Sequence, residues 1–175
     1  MPARGTASGR AISVERALAI ARATASGRLN VDGSGGDDMA LASGKATRTA
    51  GDLTQAFSGS ITFIDATGMS VTISTGAHRC LVEVVAMGKA SATDTVCLDL
   101  DIDGVRQGQD LGLCFADSLS GQNRNLSFAF LTDVLTAASH TFKLQFAAAS
   151  NGTMTLYAST TVAALVLGVT EINSP

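Results

Sequence analysis

The chain has no tryptophan, one tyrosine, two prolines and three cysteines among 175 residues, and only 15% of it is charged. So little proline leaves long strands unbroken, while eighteen glycines supply the turns. Three cysteines, Cys80, Cys97 and Cys114, cannot all pair within one chain, and none forms a Cys-x-x-Cys ligand or redox motif. They read as reduced, small apolar side chains; the alternative is a disulfide between subunits of an extracellular particle. No apolar run exceeds 162–169, far short of the roughly 18 residues of a spanning helix, and the sequence reads as soluble. Glu15 and Arg16 interrupt what would be the hydrophobic region of a secretory signal, so none is expected.

What is present fits one domain with a sizeable core. Seven phenylalanines among abundant Val, Leu, Thr and Ala suit a sheet interior. The net charge of −3 hides an asymmetry. Residues 1–28 hold five arginines (Arg4, Arg10, Arg16, Arg22, Arg28) against Glu15, a net +4; the remainder holds seven basic against fourteen acidic residues, a net −7. Ser13 as N-cap, then Val14, Ala17, Leu18, Ala21 and Ala25 at helical spacing, then Gly27, predict a short helix over about 13–26. Such a helix is marginal in water and gains order by docking its Ala/Leu face. The arginines recur every six residues, which scatters them around a helix, and no aromatic interleaves, so an acidic protein surface suits this arm better than nucleic acid. Asp32-Gly-Ser-Gly-Gly-Asp-Asp38 is the linker, giving an arm over 1–38 and a body over 39–175. Residues 39–57 supply short strands at most.

From residue 60 the strand pattern is nearly continuous: 60–64, 70–74, 79–87, 95–103, 108–115, 126–131, 141–147, 153–159 and 163–172, separated by turn residues at spacings typical of sandwiches and barrels. The fold class expected is all-β, an antiparallel sandwich. Asn151-Gly152 between two alternating runs predicts a type I′ hairpin joining 140–146 to 153–158, with Phe142, Leu144, Phe146, Met154 and Leu156 on its buried face. Tyr157 then lies beside Lys143 and Gln145 on the exposed face, placed for rim packing or for stacking on a sugar. The closing strand, Leu165-Val-Leu-Gly-Val169, is apolar on both faces, as for a central strand or an oligomer contact.

Asp99, Asp101, Asp103 and Asp110 occupy positions 1, 3, 5 and 12 of a would-be calcium loop, with Gly104 at 6. The match is incomplete: position 12 is Asp, position 8 is Arg106, and the flanks are strands. The simpler reading is a strand with one buried and one solvated face, turning at Asp103-Gly104. His78 and His140 each begin a strand and read as turn or surface residues. No nucleophile elbow, His-Glu-x-x-His or phosphate loop occurs, Gly44-Lys45 lacking the flanking residues of the last, so no enzyme and no cofactor are expected. The sequons at Asn125 and Asn151 read as turn residues.

The alternating stretches Ala138-Ser-His-Thr-Phe-Lys-Leu-Gln-Phe146 and Gly152-Thr-Met-Thr-Leu-Tyr-Ala158, with the strand closing at Ile172, resemble structural proteins of tailed bacteriophages with jelly-roll or tumour-necrosis-factor-like β-sandwich domains. The resemblance covers about residues 60–172. It implies a homo-oligomeric virion component, with trimers favoured and a doubly apolar closing strand at the threefold contact. The expected role is a capsid decoration protein, assembled in the host cytoplasm, whose arm contacts capsid or other virion proteins through Arg4, Arg10, Val14, Arg16, Leu18, Ala21 and Arg22. The alternatives are a head or tail fibre, or a receptor- or glycan-binding module using loops such as Gln122-Asn-Arg-Asn125. A third is a calcium-dependent carbohydrate module. No membrane partner is expected.

Overall fold

A computed structural model describes residues 41–159 and 164–172. The helix expected over 13–26, the linker and the arm contact residues fall outside that range. Every element described is a strand and every pairing is antiparallel: β1 Ser43–Arg48, β2 Leu53–Phe57, β3 Ile64–Ser74, β4 Arg79–Val85, β5 Met87–Ala90, β6 Asp94–Ile102, β7 Val105–Arg106, β8 Cys114–Ser118, β9 Arg124–Asn125, β10 Phe128–Leu131, β11 Ser139–Ala148, β12 Gly152–Leu156 and β13 Leu165–Ile172.

Three ladders describe two layers. The sheets β1-β13-β4-β10 and β2-β12-β5-β9 draw on the same four stretches of chain. Each stretch breaks at one point: β1 from β2 around Gly51, β4 from β5 at Ala86, β9 from β10 at residues 126–127, and β12 from β13. At the first break Gly51 has φ 74 and its carbonyl accepts from Arg48 Nε at 2.6 Å. The second layer is β3-β11-β6, flanked by β7 and β8 on the free edge of β6. Numbering the eight chain segments in order, one layer runs 1-8-3-6 and the other 2-7-4-5. This is the double Greek key of a jelly roll.

Alternation builds the core between the layers. Val82, Val84, Leu165, Leu167, Val169, Met154 and Leu156 face Met69, Val71, Ile73, Leu98, Leu100, Phe142, Leu144 and Phe146, and all are buried. Phe57 meets Phe146 edge-on at 5.9 Å. Small residues on β1 let it close over β3: a Cβ on Gly44 would stand 2.5 Å from Val71.

The expected hairpin at Asn151-Gly152 does not form. The alternation there is as expected, with Phe142, Leu144, Phe146, Met154 and Leu156 buried, but β11 pairs with β3 and β6 while β12 pairs with β2 and β5. The chain crosses between layers instead. Asp94 Oδ1 accepts from Ser150 N at 3.0 Å and Ser150 Oγ at 2.9 Å, and Asn151 Oδ1 accepts from Gly59 N at 2.9 Å. Gly152 lacks the positive φ that a type I′ turn requires. Asp103-Gly104 does form the two-residue hairpin, with φ 53 and 87 and Ile102 opposite Val105.

The strand expected over 108–115 is a loop up to residue 113. Asp99 draws in Gly108 N, Gly108 and Gly112 nearly touch, and pairing resumes only at Cys114. Residues 60–63 join no ladder, and β3 begins at Ile64.

Candidate interaction surface

The outward face of β1-β13-β4-β10 is a stretch of ordered side chains on which none of the described residues packs. Register places its residues in rows across the strands. Lys45, Gly168, Glu83 and Ala129 form the middle row; Thr47, Val166 and Val85 lie on one side, and Ser43, Thr170, Leu81 and Leu131 on the other. Val85 is 51% exposed and Leu131 47%, and Leu41 is exposed just ahead of β1. With no side chain on Gly168, the middle row is the floor of an open groove of about 530 Å³, walled by Lys45, Glu83, Val85, Val166 and Thr170.

Lys45 and Glu83 stand two strands apart across that floor, about 10 Å from one another at ordinary strand spacing. Both are exposed, and among the described residues neither makes an ion pair or hydrogen bond. The face is therefore mixed at its two ends, where Val85, Val166, Leu81 and Leu131 stand beside Thr47, Ser43 and Thr170 with Arg79 in the row beyond, and it carries one unpaired cation and one unpaired anion in its middle row. It has the features of a docking surface rather than of a reaction centre.

Several ionisable groups elsewhere are tied to protein partners. Asp99 is fully buried: Oδ2 accepts from Arg106 Nε at 2.7 Å, and Oδ1 from Leu100 N and Gly108 N at 2.8 Å. The Arg106 guanidinium lies 4.0 Å from the centroid of the Phe63 ring. Asp101 Oδ1 accepts from Gly104 N at 2.9 Å. The solvated face expected for β6 is thus covered, because the β7 hairpin and the loop after it fold over Asp99 and Asp101. Asp103 accepts from Thr141 N at 2.8 Å through Oδ1, while its Oδ2 lies 2.6 Å from His140 Nδ1. These two contacts hold its carboxyl below the usual aspartate range. Among the described residues no three His, Cys, Asp or Glu side chains converge as ion ligands; Asp99, Asp101 and Asp103 each bond protein donors of their own, and Asp110 is exposed.

The histidines are not surface residues. His140 is buried, with Nε2 2.9 Å from the Thr136 carbonyl; half-buried His78 pairs through Nδ1 with Glu171 at 2.9 Å. Cys80 and Cys97 are buried, and burial first, then the acids beside them, pushes both thiols up to about 11; Cys114, half-buried, is also raised. All three are free thiols. Tyr157 sits under Lys89, 5.5 Å from ring centroid to Nζ, and not beside Lys143 and Gln145, which bond Asp65 on the other layer. Within Gln122-Asn-Arg-Asn125, Arg124 bonds Gln122 Oε1 and the Asp117 carbonyl, and Asn125 Oδ1 caps Ser127 N.

Glu83 and Glu171 were not singled out from the sequence, and Lys45 was weighed only as part of a phosphate loop. The signal for Lys45 was the alternation of small and polar residues in Ser43-Gly-Lys-Ala-Thr-Arg48.

No protein-family model matches the chain, and no curated protein sequence matches it. Similar solved structures include murine APRIL, with TM-score 0.43 and 12% identity over 75% of this chain and 99% of that one. The infectious bursal disease virus Gx strain structure scores 0.43 at 12% identity, over 84% of this chain and 43% of that one. The enzymatically active domain of bacteriophage CBA120 tailspike protein 4 scores 0.31 at 8% identity, over 74% of this chain and 19% of that one. At such distances none of these likenesses bears on what the chain does.

Proposed function

We propose that the chain is a non-enzymatic structural protein of a tailed-phage virion, a capsid decoration protein. It self-associates through the β1-β13-β4-β10 face and is anchored to capsid subunits by residues 1–38, of which 1–28 carry the net +4. The observation that carries the reading is that face: exposed Val85, Leu131 and Leu41 around an unpaired Lys45 and Glu83. The charge asymmetry between residues 1–28 and the rest supports it, as does the sequence resemblance to phage jelly-roll proteins.

Magnitude assigns the parts. Four strands at about 4.8 Å spacing and about 20 Å long give a planar footprint of about 400 Å², about half of what one partner buries in a standard interface. Association of the body alone is therefore weak, and the arm supplies the remaining contact through Arg4, Arg10, Arg16 and Arg22 with Val14, Leu18 and Ala21. The added interface opposes pressure from within the shell, so the mechanism is mechanical.

Because the buried core among the described residues lies between 66 and 169, with Ala42, Ala46, Leu53, Phe57 and Ile64 packed against it, removing residues 1–38 is expected to leave a folded β protein. Co-sedimentation with purified capsid shells is expected for the full chain and lost for the truncation, with matching far-ultraviolet circular dichroism of the body. Undiminished binding of the truncated protein would refute the anchor. Binding to a glycan array instead of shells would favour a receptor-binding appendage.

A further inference from the structure

One end of the jelly roll is held by a histidine whose two ring nitrogens both face acceptors. His140 Nδ1 lies 2.6 Å from Asp103 Oδ2 and Nε2 lies 2.9 Å from the Thr136 carbonyl oxygen. Neither oxygen has a proton to give, so satisfying both takes two N–H groups, which only the imidazolium has. A neutral ring sets a lone pair against one of them. The one other group near Nε2, the Thr136 hydroxyl, is 3.4 Å away, too long for a good bond.

We propose that His140 is a proton-operated clamp. As an imidazolium it ties residues 132–138, the connection from β10 to β11, to the β6–β7 turn; loss of one ring proton releases that connection.

The surroundings are arranged for this. From the β6–β7 turn the facing charge is Asp103. On β3 the residue opposite is Ile73, which is uncharged. The connection itself offers the Thr136 carbonyl and hydroxyl, and its own acid, Asp133, is exposed. Beyond it, Glu171 is already engaged by His78, Gly76 N and Ala42 N. The remaining ties lie at the two ends and at Leu135: Thr75 Oγ1 to Thr136 O at 3.0 Å and to Ala138 O at 3.4 Å, Thr75 N to Ala138 O at 2.9 Å, Leu135 N to His78 O at 2.9 Å with its side chain against the core, Thr132 N to Cys80 O at 3.0 Å and Cys80 N to Thr132 Oγ1 at 2.9 Å.

The bond to Asp103, then that to Thr136, raises His140 above the ordinary histidine value against the opposing effect of burial. A raised folded value means that the stabilisation is full below about pH 6.5 and is lost as pH climbs through the folded value. At the acid end the clamp persists until Asp103 is protonated, below the usual aspartate range. Leu131, exposed, borders the released stretch and Val134, also exposed, lies within it, so opening also alters one end of the candidate face. That consequence rests on the proposed function; the clamp does not.

The test uses the full chain at a fixed oligomeric state, following imidazole nitrogen shifts of His140 and amide protection factors of Leu135 and Thr75 from pH 5 to 9. The expected result is a ring protonated on both nitrogens at pH 5 and a midpoint above 6.5. Protection corrected for intrinsic exchange should fall across that midpoint by about tenfold for each unit between the clamped and open values. Asp103→Asn, which tolerates the positive φ, should move midpoint and protection loss downward together. His140→Gln should abolish the pH dependence. Protection that ignores the midpoint, or a neutral ring at pH 6, overturns the clamp. Should His140→Gln fail to fold, wild type and Asp103→Asn decide alone. Loss of particle binding with intact pH-dependent protection would count against the proposed function and leave the clamp standing.

Discussion

A carboxylate survives burial only where donors replace its lost water, and Glu171 collects three. Oε2 accepts from Ala42 N at 2.9 Å, and Oε1 accepts from Gly76 N at 2.6 Å and faces His78 Nδ1 at 2.9 Å. One side chain thereby fastens the start of β1 and the β3–β4 loop to β13. Burial alone would raise its pKa; the bonds from Ala42, His78 and Gly76 together outweigh it and hold the carboxyl below its ordinary value. The stability it contributes is therefore full above about pH 4.5 and drains away as pH falls through the lower, folded value. Glu171→Gln leaves one carbonyl oxygen for two amide donors and turns an NH₂ toward the other. It should cost about 2 kcal/mol at pH 7 by urea denaturation, and the gap from wild type should close below pH 4. A gap unchanged at pH 3 would mean the charge contributes nothing. Nothing in Thr170-Glu-Ile172 marks this residue in the sequence, because its donors come from positions 42, 76 and 78, which only the fold assembles.

At the scale of elements, two glycine turns separate what local pattern can and cannot determine. Asp103-Gly104 closes a hairpin whose partner strand lies two residues away, so local chemistry suffices. Asn151-Gly152 carries the same signal, yet Phe142 to Phe146 on one side and Met154 and Leu156 on the other line opposite walls of the core. Facing was legible from alternation; pairing was not, because a run with period two states which face is buried and not which strand lies alongside. The same limit hid the covering of β6: its aspartates alternate like a solvated face, and only Arg106 and Gly108 folding back over Asp99 show that face to be closed. The groove was invisible for a related reason, since its rows combine residues from three distant segments. Glycines offer the check. Gly104→Ala, at φ 87 with open space around the new methyl, carries only the backbone penalty, about 1 kcal/mol. Gly112→Ala, at φ 76, would set its Cβ 2.3 Å from the Leu98 carbonyl and must displace the loop over β6. A loss above about 3 kcal/mol is expected in chemical denaturation. Equal costs at the two sites would show that the loop is not held against Leu98.

At the scale of the whole molecule, the charges on the middle row make the proposed self-association testable. With its cation on the first strand and its anion on the third, the row is complementary to a copy of itself turned about a symmetry axis, and in the proposed self-association Lys45 of each subunit would meet Glu83 of the next. Side chains that are exposed and unpaired change monomer stability little when replaced, within about 0.5 kcal/mol, whereas like charges brought together at a contact oppose association. Lys45→Glu and Glu83→Lys should each weaken self-association at least about tenfold, about 1.4 kcal/mol. The double exchange Lys45→Glu with Glu83→Lys should restore it to within about threefold, and raising the salt should shrink all three differences. Analytical ultracentrifugation of the full chain reads these changes, with thermal unfolding as the control on the fold. Rescue by the double exchange places the contact on β1-β13-β4-β10 and sets its register. If both single reversals associate like the wild type, the subunits meet elsewhere, and the exposed edge of β8 with Phe115 becomes the next surface to alter.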